Sequence, residues 1–174
     1  VIVVKVGGSL YDHPRLGAKL RVYLSTFAPA EVLLVPGGGD VVEAVRKLDT
    51  LHGLGQEFSH ELALMGMELT GRFLLHLLGK VTDSTVRVFA PHELNPNDLP
   101  HTWETTSDSI AARVALVRRA EQLVLLKSVD VPPGTPWEAA AARGWVDRQF
   151  PRVVAGLSFP VQVVNFRRVL DASD

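Results

Sequence analysis

The sequence predicts an α/β fold built on a mainly parallel sheet covered by helices on both faces. Three observations lead there. Apolar runs of strand length alternate with stretches of helical periodicity along the 174 residues. Two of those runs, at Val1 and at Glu31, end in glycine turns that open helical segments. The second run is continuous in apolar residues, as a strand buried on both faces requires.

Taken in order, Val1-Ile2-Val3-Val4-Lys5-Val6 passes directly into Gly7-Gly8-Ser9. Leu16, Leu20, Tyr23, Leu24 and Phe27 then fall at helical spacing, predicting a helix over Pro14 to Phe27 with proline near its first turn. Ala28-Pro29-Ala30 ends it, and Glu31 to Val35 is the second strand, closed by Pro36-Gly37-Gly38-Gly39. Asp40 is placed to cap the next helix, with Val41, Val42, Val45 and Leu48 facing inward. A long helix follows from about Gln56 to Leu78, marked by Phe58, Leu62, Met65, Leu69 and Phe73. Met65 and Met67 read as core residues. Val86 to Ala90 is a third strand, and Pro91 to Pro100, rich in proline and asparagine, a surface loop.

Thr106-Ser107-Asp108 introduces a helix carrying Ile110, Val114 and Val117. Leu123 to Leu126 is a fourth strand and runs into Lys127-Ser128-Val129-Asp130. Val131 to Pro136 is a proline-rich turn, Trp137 to Ala142 a short helix, Val161 to Val164 a last strand and Phe166 to Leu170 a short tail. No repeat, low-complexity segment or linker stands out, so residues 1–174 read as one domain.

Composition narrows the function. A net charge of -1 gives no basic field for nucleic acid. No apolar run approaches the roughly 18 residues of a membrane span. The first apolar run is short, contains Lys5 and lacks a basic leader, so it reads as a strand and not a signal peptide. The chain starts at Val1 with no initiating methionine, so a natural start that is trimmed or disordered is expected. Zero cysteines exclude disulfides and thiolate metal sites and suit a cytoplasmic protein. The six histidines show no H-x-x-x-H or H-E-x-x-H pattern, so no histidine metal site is expected.

What remains is equipment for anions. In an open parallel sheet the ligand lies beyond the C-terminal strand ends, where both glycine turns fall. Backbone N–H groups there, with a helix start behind them, cradle phosphate. Gly37-Gly38-Gly39 is not a dinucleotide fingerprint, because Val42 stands where the last glycine is needed, and no P-loop motif occurs. The plainer reading is a tight turn, but three ordered glycines are entropically costly. Lys5 puts a charge inside an apolar strand, so it must be paired or meet a ligand, unless it simply reaches solvent. Lys127 ends the fourth strand in a similar way, and two such lysines clamp a transferring phosphoryl group. Asp108, among Thr105, Thr106, Ser107 and Ser109, reads equally as a helix cap and as a carboxylate that holds the two lysines or contacts magnesium through water. Asp130 caps or orients the following loop. Trp103 and Trp145 read as core or lid aromatics.

The ordered set Lys-x-Gly-Gly-Ser, Gly-Gly-Gly, Thr-Ser-Asp-Ser-Ile-Ala-Ala and Leu-Leu-Lys-Ser-Val-Asp resembles the amino-acid kinase superfamily, from Lys5 to Asp130. The resemblance implies a three-layer α/β/α sandwich of the carbamate kinase type and transfer of the γ-phosphoryl of ATP, with Mg2+, to a carboxylate, carbamate or phosphate. It implies Lys5, Asp108 and Lys127 as catalytic residues. Gly7, Gly8, Ser9, Lys127 and Asp130 would meet the nucleotide, and Gly37, Gly38, Gly39 and Ser107 the acceptor. A small-molecule acceptor, no nucleic acid, no membrane and a homo-oligomer assembled through a helix face complete that expectation. Pro100, Trp103, Thr106 to Ala112, Leu126 to Asp130, Trp145-Val146-Asp147 and Phe150-Pro151 look most like a short branch acting in methanofuran biosynthesis. Its acceptor is a furan-type aminomethyl alcohol phosphate, (5-(aminomethyl)furan-3-yl)methyl phosphate.

The chain departs from the superfamily pattern in two places. Val131-Pro132-Pro133 follows the Val-Asp pair where glycine is usual, and the segment carrying another phosphate-binding lysine in larger members is short here. A non-catalytic oxyanion-binding member and a uridylate-type kinase stand as alternatives.

Overall fold

The computed structural model describes residues 1–79, 85–95 and 98–172. Its centre is a five-stranded, all-parallel sheet in the order β3-β2-β1-β4-β5. The strands are β1 (Ile2–Val6), β2 (Val32–Pro36), β3 (Val86–Val88), β4 (Gln122–Lys127) and β5 (Val161–Asn165). The helices are α1 (Leu16–Ser25), α2 (Gly39–His52), α3 (Gln56–Leu78), α4 (Ser107–Val117), α5 (Trp137–Ala142), α6 (Phe150–Val154) and α7 (Phe166–Asp171).

Strand parity sorts the core into two layers, because successive side chains leave a strand on opposite faces. Ile2, Val4 and Val6 pack with Leu16, Leu20, Leu74, Leu78, Phe166 and Leu170 on one face. Val3 packs with Ile110, Ala111, Leu123, Leu125 and Phe150 on the other. The result is an α/β/α sandwich. The same parity carries Lys5 onto the α4 face. In β4, Lys127 continues the Leu123 and Leu125 series, and Val6 lies in register with Leu126. Both lysines therefore leave neighbouring strands on the same side, near their C-terminal ends.

Several expectations need correction. The supposed tail after β5 is helix α7, whose Phe166 and Leu170 are completely buried. Phe150 to Val154 forms α6, with Pro151 in its first turn. The loop from Pro91 begins with a 3-10 turn, Pro91–Glu93, and part of that loop lies outside the described residues. Asp40 does not cap α2: the N-cap is Gly38, and Asp40 lies in the first turn. Leu48 faces solvent, as do Phe58, Met65 and Leu69, so Met67 is the core methionine and Met65 is not. Periodicity shows which residues share a helix face. It does not show what covers that face.

Candidate active site

The two glycine turns lie against each other. A Cβ on Gly8 would run into the backbone of Gly39, and one on Gly37 would come within 2.5 Å of the Gly8 nitrogen. Gly39 has φ +55, in the left-handed region that favours glycine. The glycines are therefore needed first for one backbone to approach another. The Gly7 N–H is spent on the Leu126 carbonyl (2.9 Å) and the Gly37 N–H on the Val6 carbonyl (2.8 Å). The Gly37 carbonyl is pinned by the hydroxyls of Tyr11 and Thr70, each donating at 2.8 Å. Gly8, Ser9, Gly38 and Gly39 line a cavity of about 350 Å3.

Asp108 lies in the first turn of α4 and is 3% exposed, and Lys5 is 4% exposed. The Lys5 ammonium lies 2.8 Å from Asp108 Oδ1, and the Lys127 ammonium donates to Oδ2 at 2.7 Å. One buried carboxylate thus holds two cations from adjacent strands. Burial opposes the charge on Asp108, but the two ammonium groups outweigh it and keep the carboxyl below its ordinary value. Burial dominates at Lys5 and lowers its pKa despite Asp108. Lys5, Asp108 and Lys127 open onto a wider cleft of about 1410 Å3. The cleft is the more open and the cavity the more enclosed, and the lysines belong to the cleft.

Ser107 lines the cavity, beside the two glycine turns. Neither Ser107 nor Asp108 is the cap of α4. Thr106 is the N-cap, and the carboxylate of Asp147 takes its N–H and that of Ser109. The Ser9 hydroxyl pairs with that of Ser128 at 2.9 Å. Asp130 accepts from Arg168 of α7 at 2.6 Å and lines neither the cavity nor the cleft.

Sequence reasoning missed the far wall of the cavity. Arg46, two turns along α2, lines both cavity and cleft, with its guanidinium 4.6 Å from the centre of the Trp103 ring. Trp103 also borders both spaces and donates its indole N–H to Asp49 at 2.7 Å. His60 and His101 stack at 4.0 Å, and His101 is 2.6 Å from Glu57. Burial and the neighbouring His101 lower the pKa of His60. An arginine on an amphipathic helix gives no sequence signal of this kind. Only the recurrence of Trp103 in the motif near Thr106 pointed here.

Three solved structures share this architecture. Uridylate kinase from Archaeoglobus fulgidus is 14% identical, with a TM-score of 0.69 covering 99% of this chain and 96% of that one. The UMP kinase of Bacillus anthracis is 15% identical, TM-score 0.67, covering 97% and 91%. The UMP kinase of Ureaplasma parvum is 15% identical, TM-score 0.64, covering 94% and 88%. The chain therefore has the α/β/α fold of the amino-acid kinases. A curated relative, the [5-(aminomethyl)furan-3-yl]methyl phosphate kinase of Methanocaldococcus jannaschii, is 26% identical over 97% of this chain and 91% of that protein. No protein-family model matches the chain. The chain is thus similar to that archaeal kinase along nearly its whole length and shares the fold of the uridylate kinases.

Proposed function

We propose that this protein is an ATP-dependent small-molecule kinase that phosphorylates the phosphate group of its acceptor. The observation that carries the reading is the single buried carboxylate of Asp108 holding Lys5 and Lys127 at the strand ends, beside two glycine turns. An acceptor phosphate oxyanion is already nucleophilic near neutral pH, so no general base is needed. Its oxygen forms a bond to the γ-phosphorus as the bond to the bridging oxygen breaks, and the electron pair leaves on ADP. Lys5 and Lys127 neutralise the charge that spreads over the transferring oxygens, and Asp108 fixes their positions. The lysines and Asp108 together carry a net charge of only about +1, so Arg46, facing both spaces, supplies a further cation for the acceptor phosphate.

Among the described residues, no group of three His, Cys, Asp or Glu side chains is arranged to hold a metal ion. Asp108 already has both oxygens engaged by lysines. Magnesium bound with ATP would supply charge that shields the phosphates, leaving Lys5 and Lys127 to Asp108 and the transferring oxygens. Gly8, Ser9, Gly38 and Gly39 offer backbone to the phosphates, with Ser107 at the acceptor side. The cavity of about 350 Å3, with Trp103, His60 and Leu64 in its walls, suits a small flat ring better than a long chain.

The acceptor we assign is [5-(aminomethyl)furan-3-yl]methyl phosphate, converted to the diphosphate, on the strength of the archaeal relative and of the resemblance carried by Trp103 to Ala112 and Leu126 to Asp130. We also infer a cytoplasmic homo-oligomer in which a second copy covers the apolar stripe of Leu51, Phe58, Met65 and Leu69. Met65 is 61% exposed and Leu51 76%, an unusual amount of apolar surface for a monomer. The test is to offer MgATP with the furan phosphate, uridine monophosphate, acetylglutamate and aspartate in parallel and follow ADP release. Preference for the furan phosphate is expected. Preference for uridine monophosphate or an amino acid would overturn the acceptor and spare the kinase. No ADP release with any acceptor, together with no ATP binding, would make this an oxyanion-binding member of the superfamily.

A further inference from the structure

One carboxylate outside the lysine cluster makes more hydrogen bonds than any of the cluster's own members. Asp147, in the turn before α6, borders the same cleft as Lys5, Asp108 and Lys127. Its Oδ2 accepts from the Thr106 N–H (2.9 Å), the Thr106 hydroxyl (2.9 Å) and the Ser109 N–H (3.0 Å). Its Oδ1 accepts from the Ser109 hydroxyl (2.5 Å), the Gln149 N–H (3.1 Å) and the Phe150 N–H (2.8 Å). Thr106 is the N-cap of α4 and Gln149 the N-cap of α6, and neither helix is capped by its own N-cap side chain. One charge therefore caps two helices and grips the residues on either side of Asp108.

A carboxylate in a cleft meant for several phosphates is unfavourable for binding them, so its presence calls for a compensating role. We propose that Asp147 is a positioning residue of the phosphoryl transfer. It locks the first turn of α4, thereby aims Asp108, and through Asp108 sets the two lysines. The inference rests on the kinase reading and extends it to a residue that touches no substrate. Geometry gives it leverage: a displacement of about 1 Å in a charge-stabilising group costs on the order of 100-fold in rate. Asp147 also acts on Lys5 through space. The charged groups facing Lys5 are Asp108 from α4, Lys127 from β4 and Asp147, and the Asp147 charge favours the protonated lysine. Arg46, Glu104, Glu138, Arg148 and Arg152 border the same cleft.

The test is a double-mutant cycle. Asp147→Asn removes the charge and half of the accepting capacity at nearly constant volume. It is expected to lower kcat on the order of 10- to 100-fold, with KM for ATP and acceptor changed by less than about threefold. Because Asp147 works through Asp108, adding Asp147→Asn to Asp108→Asn should cost little more than Asp108→Asn alone. A cap of purely structural value would lower Tm, leave kcat intact below Tm and add in full to the second mutation. Any of these results would overturn the proposal. A second readout needs no turnover. The 13C resonance of the Lys5 Cε, followed against pH, should titrate at a lower midpoint in Asp147→Asn, since a neighbouring negative charge is gone. An unchanged midpoint would contradict the link to Lys5. If wild type releases no ADP, the kinase reading fails on its own and the titration still decides the role of Asp147. Should Asp147→Asn not fold, Ser109→Ala removes a single bond of the set and carries the same test with a smaller expected loss, on the order of threefold to tenfold.

Discussion

The two halves of the site are built on opposite principles. On the lysine side, Lys5, Asp108 and Lys127 are buried or nearly so, fixed by strands and a capped helix, and paired with one another. On the cavity side, Arg46, His60, His101 and Trp103 stand on helix surfaces and a loop, held by ring stacking, by the Trp103 indole bond to Asp49 and by the contact of His101 with Glu57. The contrast fits a division of labour. Under the proposed reaction, charge that meets the transition state would be preorganised, and the wall that admits the acceptor would stay adjustable.

The largest expected effect lies on the rigid side. Lys5→Met should fold normally yet lose turnover by a factor on the order of 100 or more. Unchanged turnover in the folded variant, measured by ADP release, would remove Lys5 from the mechanism. Asp108→Asn comes next. It leaves two ammonium groups facing each other with no carboxylate between them, so it should slow turnover strongly and lower Tm as well. No new acidic limb should appear in the pH profile, because Asp108 transfers no proton. Full activity in that variant would reduce Asp108 to a packing residue.

The pH dependence separates the two sides further. Burial lowers the pKa of Lys5, so the ammonium is lost at a lower pH than in an ordinary lysine. The rate should therefore fall on the basic side before ordinary lysines titrate, and Lys5→Arg, if it folds and turns over, should move that fall upward. The lysines hold Asp108 below its ordinary value against the opposing effect of burial. The stability from that charge is complete above the unfolded aspartate pKa and is lost as the pH falls toward the depressed folded one. Acid unfolding of wild type and Asp108→Asn, followed by circular dichroism, should differ in that acidic window.

The smallest effect belongs to the adjustable side. Trp103→Phe keeps an aromatic ring over Arg46 but loses the bond to Asp49. It should raise KM for the acceptor a few-fold, roughly the value of one hydrogen bond, and leave KM for ATP alone. An equal rise in both constants would show that the two spaces are not separate.

The same contrast explains what was legible in the sequence. A lysine within an apolar strand, a glycine turn behind it and a Thr-Ser-Asp cluster are conspicuous because each breaks a local rule, and these residues do converge. The five strands were also legible, since continuous apolar runs of that length have few other uses. Arg46, His60 and His101 break no rule on their helices and loop, so only the tertiary arrangement gathers them. Asp147 was visible as part of a motif, but its role depends on α6, too short to show periodicity. The stripe of Phe58, Met65 and Leu69 was seen as periodic and yet lies outside the core, because periodicity does not say what covers a face.

In the proposed reaction a phosphoryl group moves from ATP onto the phosphate of a small acceptor. Phosphorus NMR of the protein with MgATP and the furan phosphate tests it directly, because it reads the bond that forms. The acceptor's single phosphorus resonance is expected to give way to a coupled pair as ADP appears in equal amount. An unchanged acceptor resonance, with ATP either intact or split only to ADP and inorganic phosphate, would contradict it.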